Sequence, residues 1–245
     1  MQPFKPDLPA GWTALHLPET DSTMSALRRQ PASDAPFELF TADFQTAGHG
    51  QRGTVWEAER GQNLLFSFRF HPQFLPAARQ FALSEALSLA IVRALRPLGV
   101  EATVKWPNDI YVGQRKLCGM LLEHTLAGNA IATTLTGVGV NVNQTDFQGD
   151  APNPVSLRQL LGVGVTGQPR GAAADIQRQR RPGEKAARLA LAEEGERQRH
   201  GRPETELAPA GVQKALLLAG RFDLSYHFSA LTMLLNSRPR TSKFG

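Results

Sequence analysis

The sequence predicts an α/β fold, a mixed central sheet flanked by helices, over roughly its first 160 residues. Three observations lead there. Aromatic-rich, partly alternating runs bounded by turn residues recur along this stretch. One long segment, 76–98, repeats Phe81, Leu83, Ala86, Leu87, Ala90, Ile91, Ala94, Leu95 and Leu98 at helical spacing. Two further strand-like runs, 119–126 and 130–142, are separated only by Ala127-Gly128-Asn129, which reads as the turn of a hairpin.

In chain order, Asp21-Ser22-Thr23 offers N-cap side chains for a short helix running to about Arg29. Residues 38–42 are a short strand. Residues 45–53 are too rich in glycine for a regular element. Residues 63–70 (NLLFSFRF) suit a strand. The long helix over 76–98 stops at Gly99, a residue that tolerates the left-handed conformation of a helix end. Residues 103–106 and 109–112 are further short strands preceding the hairpin.

Composition narrows the class. An apolar fraction of 41% and a charged fraction of 20% are those of a globular protein. No run of about 18 apolar residues is present, so no membrane span is expected, and the first twelve residues do not read as a secretory signal. A single cysteine, Cys118, excludes an internal disulfide framework and fits the reducing cytoplasm. Charge is divided unevenly: residues 1–163 carry a net −1 and residues 164–245 a net +6.

Four clusters carry candidate chemistry. In Gln45-Thr46-Ala47-Gly48-His49-Gly50-Gln51-Arg52-Gly53, the glycines let backbone N–H groups approach an anion, with His49 and Arg52 beside it. A plain tight loop reads equally well. In Val104-Lys105-Trp106-Pro107-Asn108-Asp109, a lysine between bulky neighbours is either a desolvated cation that neutralises phosphate and carboxylate oxygens or an ordinary lysine snorkelling at a strand end. In Gly137-Val138-Gly139-Val140-Asn141, glycines inside a strand mark close approach of a ligand, or a bulge. In Asp21-Ser22-Thr23-Met24, the hydroxyls bind a ligand at a helix start, or simply cap it.

The order and spacing of these clusters say more than any one of them. Asp21-Ser22-Thr23, the Gln45–Gly53 loop with Trp56 behind it, Lys105-Trp106-Pro107-Asn108-Asp109, Arg115-Lys116-Leu117-Cys118-Gly119 and Gly137-Val138-Gly139-Val140-Asn141 together resemble the catalytic domain of biotin protein ligases. The segment containing Pro154-Val155-Ser156-Leu157 resembles the family's stretch just after that last strand. The resemblance covers residues 21–160, about 140 positions.

That resemblance implies a sheet of the class II aminoacyl-tRNA synthetase/biotin synthetase-like kind. It implies a ligase that uses ATP and Mg²⁺ to convert biotin to biotinyl-5′-AMP and passes the biotinyl group to a lysine of a biotin carboxyl carrier protein, such as a subunit of acetyl-CoA carboxylase. Lys105 and Arg52 are then the catalytic candidates. Ser22, Thr23, Met24, Gln45, His49, Gly50, Gln51, Lys105 and Gly139 would line the biotin site. Arg52, Trp56 and Asn141 would contact ATP. No metal ligands are assigned. Many relatives carry arginine where this chain has His49 and Gln51, which places more of the adenylate contact on Arg52. Only 20 residues precede Asp21, so a helix-turn-helix domain is not expected, nor is DNA binding. A monomer or weak dimer is expected. A lipoate-type ligase and a biotin-binding product impaired in turnover are the alternatives.

From about residue 163 the composition shifts to Arg, Gly, Ala, Glu, Gln and Pro, with few large apolar residues. Such a stretch buries too little apolar area to offset its ordering entropy. It reads as a basic low-complexity tail over 163–245, either a disordered extension or out-of-frame translation, in place of the family's small SH3-like barrel.

Overall fold

The computed structural model describes residues 11–149, 151 and 153–165. The expectations for the tail beyond 165, including the missing barrel, lie outside the described residues. Among the described residues seven strands form one sheet: β1 (Trp12–Leu17), β2 (Phe37–Ala42), β3 (Leu64–Phe70), β4 (Thr103–Lys105), β5 (Asp109–Val112), β6 (Arg115–Ala127) and β7 (Ala130–Val140), in the order β1-β2-β3-β7-β6-β5-β4. Of these strand pairs only β1–β2 is parallel, so the sheet is mixed as expected. The hairpin forms with Gly128 at φ 58°, which a glycine adopts without strain.

The pleat sorts residues onto two faces. On one, Phe37, Leu39, Phe66, Phe68, Phe70, Val138, Val140, Cys118, Met120 and Ile110 are brought together by register. This face meets α2 (Phe81–Leu95), whose Leu87, Ile91, Ala94 and Leu95 are buried in the same core. Rings line up along it: Trp12–Phe37 stack at 4.6 Å between centroids, Phe37–Phe70 at 5.5 Å and Phe68–Phe70 at 5.7 Å. The opposite face receives α1 (Thr23–Arg29), fastened where it ends. There the buried Arg69 donates to the carbonyls of Gln30 and Pro31 and forms an ion pair with buried Glu38.

Three details differ from the sequence reading. The helical stretch 76–98 is a 3-10 turn at Ala77–Arg79, the α-helix, and a second 3-10 turn at Arg96–Leu98. Pro97 lacks the N–H that an α-helical turn needs there, and Gly99 closes the end at φ 76°. Strand β1 is an element the sequence pattern does not announce. So is α3 (Leu157–Leu161), although Ser156 and Gln159 form a reciprocal capping box at its start.

Candidate active site

The helix-free part of the second face carries the sequence-marked residues in rows set by strand register. Leu65, Gly139, Gly119, Asp109 and Lys105 are successive partners across β3, β7, β6, β5 and β4. Ser67 and Gly137 begin the next row. From β3 to β5 is three strand spacings, about 14 Å.

At the β3 end a buried polar cluster forms. The Thr23 N–H donates to Gln45 Oε1 at 2.7 Å, and the Thr23 hydroxyl donates to the same oxygen at 2.9 Å. With its proton committed there, Thr23 Oγ1 accepts from Ser67 Oγ at 2.7 Å. Ser22 and Thr23 are 4% and 3% exposed, so neither is a surface cap, and Ser22 makes no side-chain cap bond. Asp21 instead holds the helix start from outside. It accepts from the Ser22 N–H and takes both ends of the Arg29 guanidinium, at 2.6 and 2.8 Å. Those bonds hold its carboxyl well below the usual carboxylate range, the Arg29 bond foremost. Met24 lies on Gly137: a Cβ there would come within 2.6 Å of the Met24 sulfur.

At the centre Trp56 lies on the cross-strand pair Gly119–Gly139. A Cβ at Gly139 would be 2.3 Å from Trp56 Cε2, and one at Gly119 would be 2.8 Å from Cζ3. The glycines are needed here for close approach of a ring to the sheet rather than for an unusual backbone. Trp56 Nε1 is buried without a hydrogen-bond partner among the described residues, an orphan that normally carries a penalty. Lys116 sits over the ring, its Nζ 5.7 Å from the ring centroid, and pairs with Asp109 Oδ1 at 2.9 Å; both are about one-fifth exposed.

The loop that leads to Trp56 folds back on itself. His49 bridges Val55, the Gly50 N–H donates to the Thr54 carbonyl, and the Trp56 N–H donates to the Gly48 carbonyl. Gln51–Gly53 make a single 3-10 turn at the tip, the one regular piece in a stretch expected to have none. Arg52 adopts φ 55° there. His49, Gln51 and Arg52 are exposed, so this loop presents them to solvent and not to the sheet. Gly50 is half-buried beneath Thr54.

Three of the candidates have surroundings that the sequence does not reveal. Lys105 is exposed on the edge strand β4, where its Nζ meets the Tyr111 hydroxyl at 3.1 Å and the Tyr111 ring at 4.6 Å. Of the two readings of this lysine, its exposure fits the one at a strand end, because among the described residues no strand flanks β4 on its outer side. Gly139 underlies Trp56, while Gly137 occupies the Thr23–Met24 end. Asn141 is buried and uses its amide N–H groups on the carbonyls of Val155 and Lys116, at 3.2 and 3.4 Å, so it holds the strand that carries Lys116. Residues that sequence reasoning leaves without a role are Ser67, Lys116, Asp109 and Gly119. Asp109, Lys116 and Gly119 stand inside the family-like motifs, but their partners emerge only through strand pairing.

Among the described residues no group of three or more His, Cys, Asp or Glu side chains could hold a metal ion, and no helix is long and apolar enough to cross a membrane.

Residues 18–141 match the family described as Biotin/lipoate A/B protein ligase. The chain is 35% identical over 133 residues to the bifunctional ligase/repressor BirA of Escherichia coli (strain K12), covering 54% of this chain and 41% of that protein. It is 32% identical over 158 residues to the biotin–[acetyl-CoA-carboxylase] ligase of Mycobacterium tuberculosis, covering 62% and 57%. The structure of biotin protein ligase from Aquifex aeolicus in complex with biotin and ATP aligns with a TM-score of 0.53 at 26% identity, over 66% of each chain. The chain spans less than half the length of the BirA relatives it matches.

Proposed function

The chain belongs to the biotin/lipoate A/B protein ligase family, and from that premise we propose that it joins biotin to ATP and transfers the biotinyl group to a lysine of a biotin carboxyl carrier protein. The observation that carries this reading is the row on the open sheet face. A hydroxyl–amide cluster (Thr23, Gln45, Ser67) stands at one end, an indole on a glycine floor at the centre, and a lysine–carboxylate pair beyond it.

The chemistry follows from the groups on that face. The biotin carboxylate attacks the α-phosphorus of ATP, pyrophosphate leaves, and a mixed anhydride forms. The amine of the carrier lysine then attacks the acyl carbon, AMP departs, and the amine loses its proton. Both steps bring anions together, so fixed positive charge matters more than a strong base. In our reading Lys116 supplies that charge. It is less exposed than Lys105, so its field is less screened, and a substrate anion would share it with the Asp109 carboxylate that it already pairs with. Thr23, Gln45 and Ser67 suit the polar head of biotin, being donors and acceptors held in a buried chain. Met24 over Gly137 suits its apolar part. Trp56 walls the nucleotide, and its unpaired N–H is a ready donor to a ligand oxygen. Arg52, Gln51 and His49 stand on the exposed loop tip, from which they would have to turn toward the sheet to contact the adenylate. Mg²⁺ would come with the nucleotide, as Mg–ATP, and offset phosphate charge.

The test is release of pyrophosphate on mixing the chain with ATP and biotin, beside an identical reaction with lipoate. Biotin-dependent release is expected. Release with lipoate alone would reassign the substrate, and biotin binding by calorimetry without any release would identify a chain impaired in turnover.

A further inference from the structure

Glu57 comes directly after Trp56 and reaches across to the loop that leaves β7. Its Oε1 accepts from Gln144 Nε2 at 3.1 Å and from the Gln148 N–H at 2.9 Å; its Oε2 accepts from the Gly149 N–H at 2.6 Å. Gly149 is pressed close, since a Cβ there would lie 2.8 Å from Glu57 Oε2. Gln144 is 2% exposed and fully committed. Its Oε1 accepts from the Glu59 N–H at 2.9 Å and Asn63 Nδ2 at 2.5 Å, and its Nε2 also donates to the Asp146 carbonyl at 2.8 Å. Asn63, at the foot of β3, accepts from the Val142 N–H at 3.0 Å. The segment after Trp56, the start of β3 and residues 142–149 are thus joined by one polar network with Glu57 as its charged member.

We propose that Glu57 is a positioning residue for the nucleotide: it latches the Trp56 segment to the 142–149 loop and so keeps the indole on the Gly119–Gly139 floor. This deepens the function proposed above and rests on it. A carboxylate suits the role because it is acceptor-only and faces three N–H donors. Glutamine would turn one N–H toward another. An apolar side chain would leave the buried Gln144 amide short of a partner.

The experiment compares the full chain with Glu57→Ala and Glu57→Gln. Hydrogen exchange reads the latch itself: the Gln148 and Gly149 amides should both lose protection in Glu57→Ala, and one of them in Glu57→Gln. Equilibrium binding of ATP and of biotin, each measured separately, reads the consequence. ATP affinity should fall about tenfold in Glu57→Ala, the scale of one lost charge-assisted hydrogen bond, with biotin affinity unchanged. Unchanged protection at 148 and 149 would overturn the latch. An equal loss of ATP and biotin affinity, or of neither, would overturn the positioning role and leave a structural tie. A wild-type chain that binds both ligands but releases no pyrophosphate would count against the proposed function alone, since neither readout here depends on turnover.

Discussion

Replacing Gly139 by alanine puts a methyl group 2.3 Å from Trp56 Cε2 and 2.6 Å from both Cζ2 and Nε1. Carbon atoms in contact settle at about 3.5–4.0 Å, so the indole must move by roughly 1 Å or more. The backbone at Gly139 is ordinary β7 strand, which alanine accepts, and the neighbour that must give way is a half-buried ring and not main chain. Stability should therefore stay within about 1 kcal/mol of wild type, because alanine also restricts the unfolded chain. Catalysis should respond far more, since a misplacement of about 1 Å at a reacting site costs on the order of 10²-fold in rate. The assay is biotin-dependent exchange of pyrophosphate into ATP, run beside thermal unfolding. Gly137→Ala is the internal control: its methyl meets the Met24 sulfur at 2.6 Å, the far part of a flexible side chain that can turn away. It should weaken biotin binding modestly and leave ATP dependence alone. A Gly139→Ala chain with wild-type exchange at both saturating and limiting ATP would refute the idea that the indole on its glycine floor is a wall of the nucleotide site.

Lys116→Ala should slow adenylation by about 10²- to 10³-fold, the usual loss on removing an oxyanion-stabilising group, whereas Lys105→Ala should change it only a few-fold. Exchange rates in the opposite order would return the role to Lys105. Arg69→Met strands the buried Glu38 and should destabilise by about 3–5 kcal/mol in denaturant unfolding, with the Glu38→Gln/Arg69→Met double variant recovering part of it. Burial works to raise the Glu38 carboxyl, but hydrogen bonds from Arg69 and Ser33, with the Arg69 charge, outweigh it and hold the folded group below its ordinary value of 4.5. A depressed carboxylate contributes fully above its unfolded value and loses that contribution as pH falls through the lower folded one. Acid unfolding should steepen below about pH 4.5, and Glu38→Gln should flatten that limb. Cys118 is fully buried, and burial pushes its thiol far above the usual range, so alkylating reagents at pH 8 should label it only after unfolding.

Most strands and α1 are legible in the sequence because period and turn residues are local properties of the chain. Residues 63–70 and the hairpin at Gly128 are examples, each close to its observed bounds. Strand β1 escapes such a reading because its burial is slight: Thr13, Ala14 and Leu15 are exposed, and no alternation announces an edge strand that gains its place by pairing with β2. Helix α3 escapes it too, although its capping box is readable as Ser156 and Gln159, because five residues are too few for a hydrophobic period to show.

What the sequence by itself determined is the family and the motifs that mark its candidate site: Thr23, Gln45, the glycines at 137 and 139, Trp56, and Lys105 and Lys116 in neighbouring motifs. These are matters of identity and spacing along one chain. Which lysine is shielded, which glycine carries the indole, and where Glu57 reaches are decided by strand order, since β6 lies inside the sheet and β4 at its edge. Lys105 and Lys116 are eleven positions apart and chemically alike. Only the sheet, by exposing one and setting the other between Asp109 and Trp56, makes them different groups.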